Sequence, residues 1–344
     1  MADRELRIGI IGLRLGQWHV ETIAELEGAK VTAVADNNPG LLAGADVTVQ
    51  QYAEKIGAKA YADGVELIER EDVDAVSLCV SPKWRMPLLV AAAERKLPVL
   101  VEKPWATNLA HGLELASVVR EAGLLAMVEF PLRYFRPIVG LRSLLGDGEL
   151  GEPFVVSADL CMTPIASPNH WAWDPENGNG VINENSCHIF DTLCFLLGEP
   201  ESLHAYGGNF HGVGAPLEDG AAMTIRFKSG AVAAVTGGGL GARAIGTRTW
   251  LDVYARNGQG LVTGAYHMYD TLTWARHDAT EAKTQSWEIP PRRQIMRYAM
   301  QHFIECVRDG KTPTCGVDDG VRALALSMAV RESLRAGGPV EVRW

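Results

Sequence analysis

Short apolar runs separated by helical stretches, repeated along residues 6–128, constrain this chain more than any other feature. Leu6–Ile11 reads as the first strand, Val31–Ala35 as the second and Asp74–Val80 as the fourth. Pro98–Val101 and Leu125–Val128 follow as the fifth and sixth. Runs of this length without alternation mark strands covered on both faces, as in parallel sheets. Helical patterns fill the gaps, at about 17–26, 87–95 and 109–121, the last with Asn108 as a candidate N-cap. The predicted class for this half is α/β, a doubly wound parallel sheet.

After residue 130 the rhythm changes. A helix at about 138–145 leads into a strand at 154–160, then a loop rich in Asn, Pro, Gly and Trp from 162 to 180, then a helix to about 197. From 202 to 288 short alternating stretches are divided by glycines. Residues 221–227 and 231–237 flank Lys228-Ser229-Gly230 like a hairpin. Two helices, at about 295–308 and 317–336, close the chain. The second half is therefore predicted as α+β with an open, mostly antiparallel sheet. The expected boundary divides 1–130 from 131–344, with the last helix able to pack back on the first domain.

The 344 residues suffice for two cores, and the composition is that of an ordinary globular chain. A formal charge of −10 argues against a nucleic-acid partner, which would call for a basic face. No apolar stretch approaches the roughly 18 residues of a membrane span, so no membrane partner is expected. The chain runs almost at once into its first strand, leaving no room for a signal peptide. Its six cysteines are scattered, without Cys-x-x-Cys spacing. A reduced, cytoplasmic protein is the simplest expectation. No His/Cys cluster has metal-ligand spacing, and no metal is expected.

Three places carry chemistry. Glu102-Lys103-Pro104 ends the fifth strand and delivers two charges to its carboxyl end, where open α/β sheets bind ligands. Behind the first strand, Gly12-Leu13-Arg14-Leu15-Gly16 is a glycine turn one residue shorter than Gly-x-Gly-x-x-Gly, with Arg14 near the second glycine's place. Arg14 is able either to hold phosphates or to obstruct them. Asp36 ends the second strand and suits ribose hydroxyls, which favours NAD over NADP; a turn-forming aspartate before Asn37-Asn38 is the competing reading.

The third place is Glu184-Asn-Ser-Cys-His188-Ile-Phe-Asp191. On a regular helix Glu184, His188 and Asp191 share one face, opposite Ile182, Ile189, Leu193, Leu196 and Leu197. Imidazole is the natural proton carrier near neutral pH. An exposed ion-pair ladder is the bland alternative. Trp171 and Trp173 are candidates for stacking on a sugar, with burial the competing role for Trp173. His19 reads as structural.

These segments, with Tyr61-Ala-Asp63, Asp72-Val-Asp-Ala-Val76, Gly148-Glu-Leu-Gly-Glu-Pro153 and the closing Asp319-Gly…Glu332-Ser…Gly337-Gly-Pro-Val340, resemble the Gfo/Idh/MocA (glucose–fructose oxidoreductase/inositol dehydrogenase) family over essentially the whole chain. The resemblance implies a Rossmann-type dinucleotide-binding domain, a substrate and oligomerisation domain, and hydride transfer between nicotinamide and a secondary alcohol of a sugar, cyclitol or related polyol. It implies that Lys103 hydrogen-bonds the reacting hydroxyl, that His188 accepts its proton, and that Glu184 contacts substrate or His188. Arg133 and Trp173 join them as substrate residues. Gly12, Leu13, Arg14, Leu15, Gly16, Asp36, Ser81, Pro82, Glu102 and Lys103 are the implied cofactor residues. It further implies a homodimer or homotetramer. An NAD-dependent glycosidase and a non-catalytic sugar or nucleotide sensor are the alternative readings. Three positions depart from the family pattern: the shortened turn, Met86 where a histidine is usual, and Glu184 where an aspartate is usual.

Overall fold

The computed structural model describes residues 4–344 except 39, 43, 45, 246, 247, 266 and 267. The first three residues, on which the signal-peptide expectation bears, lie outside this set. The chain divides into two compact units. The first comprises the residues up to Ala106, Ala110–Phe130 and Pro290–Gly320; the second comprises Thr107–Leu109, Pro131–Ile289 and Val321–Trp344.

In the first unit β1 (Leu6–Ile11), β2 (Ala29–Ala35), β3 (Lys59–Tyr61), β4 (Ala75–Leu78), β5 (Val99–Glu102) and β6 (Ala126–Glu129) form one sheet in the order β3-β2-β1-β4-β5-β6. Every pairing is parallel. Helices α1 (Gly16–Ile23), α2 (Val49–Ile56), α3 (Gly64–Arg70), α4 (Arg85–Glu94) and α5 (Leu109–Ala122) supply the crossovers that parallel strands require. All residues of β4, β5 and β6 are buried, which is why they read as mainly apolar runs without alternation. The strand order reverses at β1 and β4, and such a reversal opens a crevice at the carboxyl ends of the strands. The helix Arg297–Asp309, far away in sequence, packs on α1 within this same unit. Expected boundaries drawn from sequence at 130/131 do not separate this segment out.

The second unit holds β7 (Pro153–Cys161), β8 (Pro200–Gly208), β9 (Gly220–Phe227), β10 (Val232–Gly238), β11 (Arg248–Ala255), β12 (Gly258–Ala265), β13 (Met268–Arg276), β14 (Lys283–Ser286) and β15 (Val340–Glu341). Their order is β14-β13-β12-β11-β7-β10-β9-β8-β15. Only β7 and β10 pair in parallel; the remaining pairings are antiparallel. Gly230, with φ +90°, makes the turn of the β9–β10 hairpin. Helix α6 (Arg136–Gly146) lies against β12 and β13, and α7 (Cys187–Leu197) against β7. The two therefore cover one face of the sheet.

Helix α7 is anchored from its buried side. The Arg133 guanidinium, on a short helical turn at Pro131–Tyr134, donates from Nε to Asp191 Oδ2 at 2.9 Å and from a terminal nitrogen to Oδ1. Both side chains are essentially inaccessible to water. Removing one partner of such a pair strands a buried charge, at a cost of about 3–5 kcal/mol. Arg133→Met is therefore expected to lower the urea-unfolding free energy by that amount. Arg133→Met/Asp191→Leu, which strands neither charge, is expected to recover most of the loss.

Candidate active site

The glycine turn is built by packing as much as by chain freedom. Gly12 has φ +90°, and a Cβ there would stand 2.7 Å from the Cys79 carbonyl oxygen. A Cβ on Gly16 would stand 2.8 Å from Ile10 Cγ2, so this glycine lets α1 close on β1. Between them Leu13 is wholly buried, leaving its N–H as the group that turns outward to Asp36 Oδ2 at 2.6 Å. The other oxygen of Asp36 accepts from Asn38 N at 2.9 Å. Asp36 thus shapes both the turn and its own loop. Arg14 is exposed.

Beside this turn lies a cavity of about 150 Å³ lined by Gly12, Asp36, Asp63, Trp84, Pro87 and Leu88 among others. Ser81 and Pro82 lead into the short helical turn Pro82–Trp84 that brings Trp84 to this wall. An acid, an exposed indole and a glycine cradle at the carboxyl ends of β1 and β2 fit the adenosine half of a dinucleotide.

Lys103 leaves β5 with its main chain held on both sides. Upstream, Glu102 Oε2 accepts from the Lys103 N–H at 3.0 Å. Downstream, the buried Arg85 guanidinium donates to the carbonyls of Pro104, Trp105 (2.8 Å) and Val80 (3.2 Å). Glu102 Oε1 in turn meets His19 Nε2 at 2.9 Å, and His19 Nδ1 meets Ser77 Oγ at 2.9 Å. Burial opposes a charge on His19, but Cys79 and Glu102 outweigh it and hold the imidazole well above its usual value. Glu129, the register neighbour of Glu102 on β6, is fully buried, and neither carboxyl oxygen has a hydrogen-bond partner among the described residues. Burial, and then the charge of Glu102, push its carboxyl up to about 8.

In the second unit residues 182–186 form a wide π-type turn and α7 begins only at Cys187. The regular helix face expected for Glu184, His188 and Asp191 is thus interrupted between the first two, because a π turn closes one residue later than an α turn. The outcome is nonetheless selective. From 178 to 194 every residue is buried except Glu184 and His188. Asp191 is turned inward to Arg133. Arg133 itself, expected beside substrate, is 1 % exposed, and its guanidinium also lies 4.8 Å from the Phe195 ring. Trp173, another expected substrate residue, is 8 % exposed and packs on Gly214, where a Cβ would strike its ring. Trp171 remains half-buried.

His19, Glu129 and Arg85 were not legible as site residues. His19 and Glu129 sit in otherwise apolar or unremarkable contexts, and only the packing of α1 and the register of β5 with β6 bring them to Glu102. A glutamate in the fully apolar run of β6 was the available signal.

Known proteins place these features in context. A model of the oxidoreductase-family NAD-binding Rossmann fold matches residues 6–130, and one of the oxidoreductase-family C-terminal alpha/beta domain matches residues 142–342. The chain is 28 % identical to myo-inositol 2-dehydrogenase of Thermotoga maritima over 336 residues, 96 % of each chain. It is 25 % identical to scyllo-inositol 2-dehydrogenase (NAD(+)) of Bacillus subtilis over 354 residues, 99 % of this chain and 97 % of that one. In fold it is similar to levoglucosan dehydrogenase solved with NADH and L-sorbose, with a TM-score of 0.85, 20 % identity and 99 % of both chains covered.

The Glu129 carboxyl gives a stability signature. Its folded value of about 8 lies above the ordinary 4.5, so the folded chain keeps a proton that the unfolded chain releases. The stability this group lends is complete below 4.5 and is lost as pH rises towards 8. Glu129→Gln is expected to melt progressively above wild type as pH rises from 5 to 8, by about 2–4 °C for each kcal/mol. A difference in melting temperature that stays flat across that range would contradict a buried neutral acid.

Proposed function

The chain belongs to the Gfo/Idh/MocA family of oxidoreductases, and we propose that it oxidises a secondary alcohol of a sugar, cyclitol or related polyol with NAD. The observation that carries the reading is the selective opening of Glu184 and His188 in a segment otherwise buried from 178 to 194. The inositol dehydrogenases among its relatives support a polyol as the substrate class. When bound, the nicotinamide accepts the hydride from the carbinol carbon. His188 takes the hydroxyl proton, Lys103 stabilises the negative charge that develops on that oxygen, and Glu184 orients substrate or His188. Gly12 to Gly16 and Asp36 hold the dinucleotide, with Leu13 N and Asp36 fixing the turn against each other. The charge of Asp36 disfavours a 2′-phosphate and selects NAD over NADP.

None of the six cysteines is in a disulfide, which supports a reducing, cytoplasmic setting, and no helix among the described residues is long and apolar enough to cross a membrane. On the sheet face away from α6 and α7, the register partners Val155 and Tyr254 are exposed side by side, which supports a homodimer or homotetramer formed by that face.

Turnover tests the mechanism. With myo-inositol and other polyols as probes, Lys103→Met is expected to lower kcat by about 10²–10³ with the fold intact. His188→Ala is expected to remove the acidic limb of the pH–rate profile, where protonation of the base would otherwise lower the rate. Unchanged turnover in Lys103→Met would overturn the assignment, and sugar release without net NADH would favour the glycosidase instead. Tryptophan-to-nicotinamide energy transfer is expected to report tighter binding of NADH than of NADPH. Asp36→Asn is expected to narrow that ratio on the order of tenfold.

A further inference from the structure

The hydrogen bonds behind Lys103 form a chain that starts on a helix and ends at a backbone N–H. Glu102 has only acceptors to offer, so the hydrogen of the 2.9 Å contact to Oε1 belongs to His19 Nε2. Oε2 accepts from the Lys103 N–H at 3.0 Å. The imidazole is not free to turn, because Nδ1 is held by Ser77 Oγ at 2.9 Å on β4, and the ring is wholly buried. Helix α1 and strand β4 are thereby connected to the peptide that projects Lys103.

Burying an imidazole and a carboxylate is costly compared with filling the same volume by apolar side chains. Leucine-sized residues would pack α1 on β4 and β5 without this cost. What they would lack is a fixed acceptor for the Lys103 N–H. A glutamate has several rotatable bonds, and with one oxygen unheld its carboxylate is able to swing away from that N–H. His19 removes this freedom. Arg85 then fixes the chain just beyond Lys103 through the carbonyls of Pro104 and Trp105.

We propose that His19 is a positioning residue for Lys103, acting through the Glu102 carboxylate to fix the direction in which the lysine side chain leaves β5. The inference rests on the reading of Lys103 as the cation at the reacting oxygen. A displacement on the order of an ångström at such a group costs up to about a hundredfold in rate. The role of His19 is therefore seen in kcat, while Asp36 and the glycine turn keep cofactor binding.

The test compares His19→Leu, which removes the donor, with His19→Gln, whose side-chain amide reaches a similar position and donates to Glu102 Oε1. The full chain is labelled with a limiting amount of acetic anhydride, and the acetylation rate of Lys103 is read by mass spectrometry against the exposed Lys30 and Lys283. His19→Leu is expected to change the relative rate at Lys103 by at least about threefold, and His19→Gln to return it to within about twofold of wild type. With myo-inositol and NAD as probes, kcat is expected to fall about 10- to 100-fold in the leucine variant, with the NADH dissociation constant retained and kcat largely restored by glutamine. If His19→Leu does not fold, Glu102→Gln, which cannot accept at both oxygens, is read in the same way. A Lys103 rate unmoved by the substitution, or moved alike by leucine and glutamine, overturns the proposal. A wild-type protein inactive on polyols instead overturns the substrate reading, and leaves the labelling result to decide the role of His19.

Discussion

The carboxylate of Glu102 is the group on which the first unit's chemistry depends. It stands at the end of a buried parallel strand, where water screens it little. His19 donates to one oxygen and the Lys103 N–H to the other. Glu129, on the next strand, is held in its protonated form by the same burial and the same charge. Two ionised carboxylates in register at this depth would repel strongly, and one positive partner is present for one of them. The apolar sheet thus imposes the electrostatics: strands buried on both faces leave room for a charge only where a second group meets it.

In the second unit a different constraint does comparable work. Helix α7 is pinned by Arg133 to Asp191, a bidentate buried pair, and the preceding π-type turn packs on β10. With one side committed to the sheet and Asp191 committed to Arg133, Glu184 and His188 are the half-buried positions in the segment 178–194. The interruption of the regular helix matters here, because an extra residue in the turn shifts the phase between position 184 and position 188. A wide turn at such a place, rather than a smooth helix, is what offers a carboxylate and an imidazole from an otherwise closed surface.

Much of the architecture was legible because its signals are local. Leu6–Ile11 and Val317–Ala336 emerge with the bounds expected for them, and the hairpin around Lys228-Ser229-Gly230 agrees to within a residue or so. Apolar run length and periodicity report whether a segment is covered on two faces or one, and that is a property of the segment itself. The glycine turn was legible for the same reason, since Gly12 needs a positive φ and Gly16 a close approach. Asp36 plays the turn-forming role weighed for it, its oxygens accepting from the Asn38 N–H and the Leu13 N–H.

The sequence by itself determined the parallel sheet, the mixed sheet that follows it, the acid and glycines of the first turn, and the side chains fit for proton transfer. Only the tertiary structure decided how those side chains are occupied. It sent Asp191 to Arg133, 58 positions away, and closed Trp173 against Gly214. It set His19 on Glu102 across 83 positions, and Glu129 beside that carboxylate with no hydrogen-bond partner among the described residues. The residues from Pro290 to Gly320 joined the first unit for the same kind of reason. Periodicity records which face of an element is apolar, but not which distant element will meet it. Strand register and helix packing choose the partner, and the partner sets the charge.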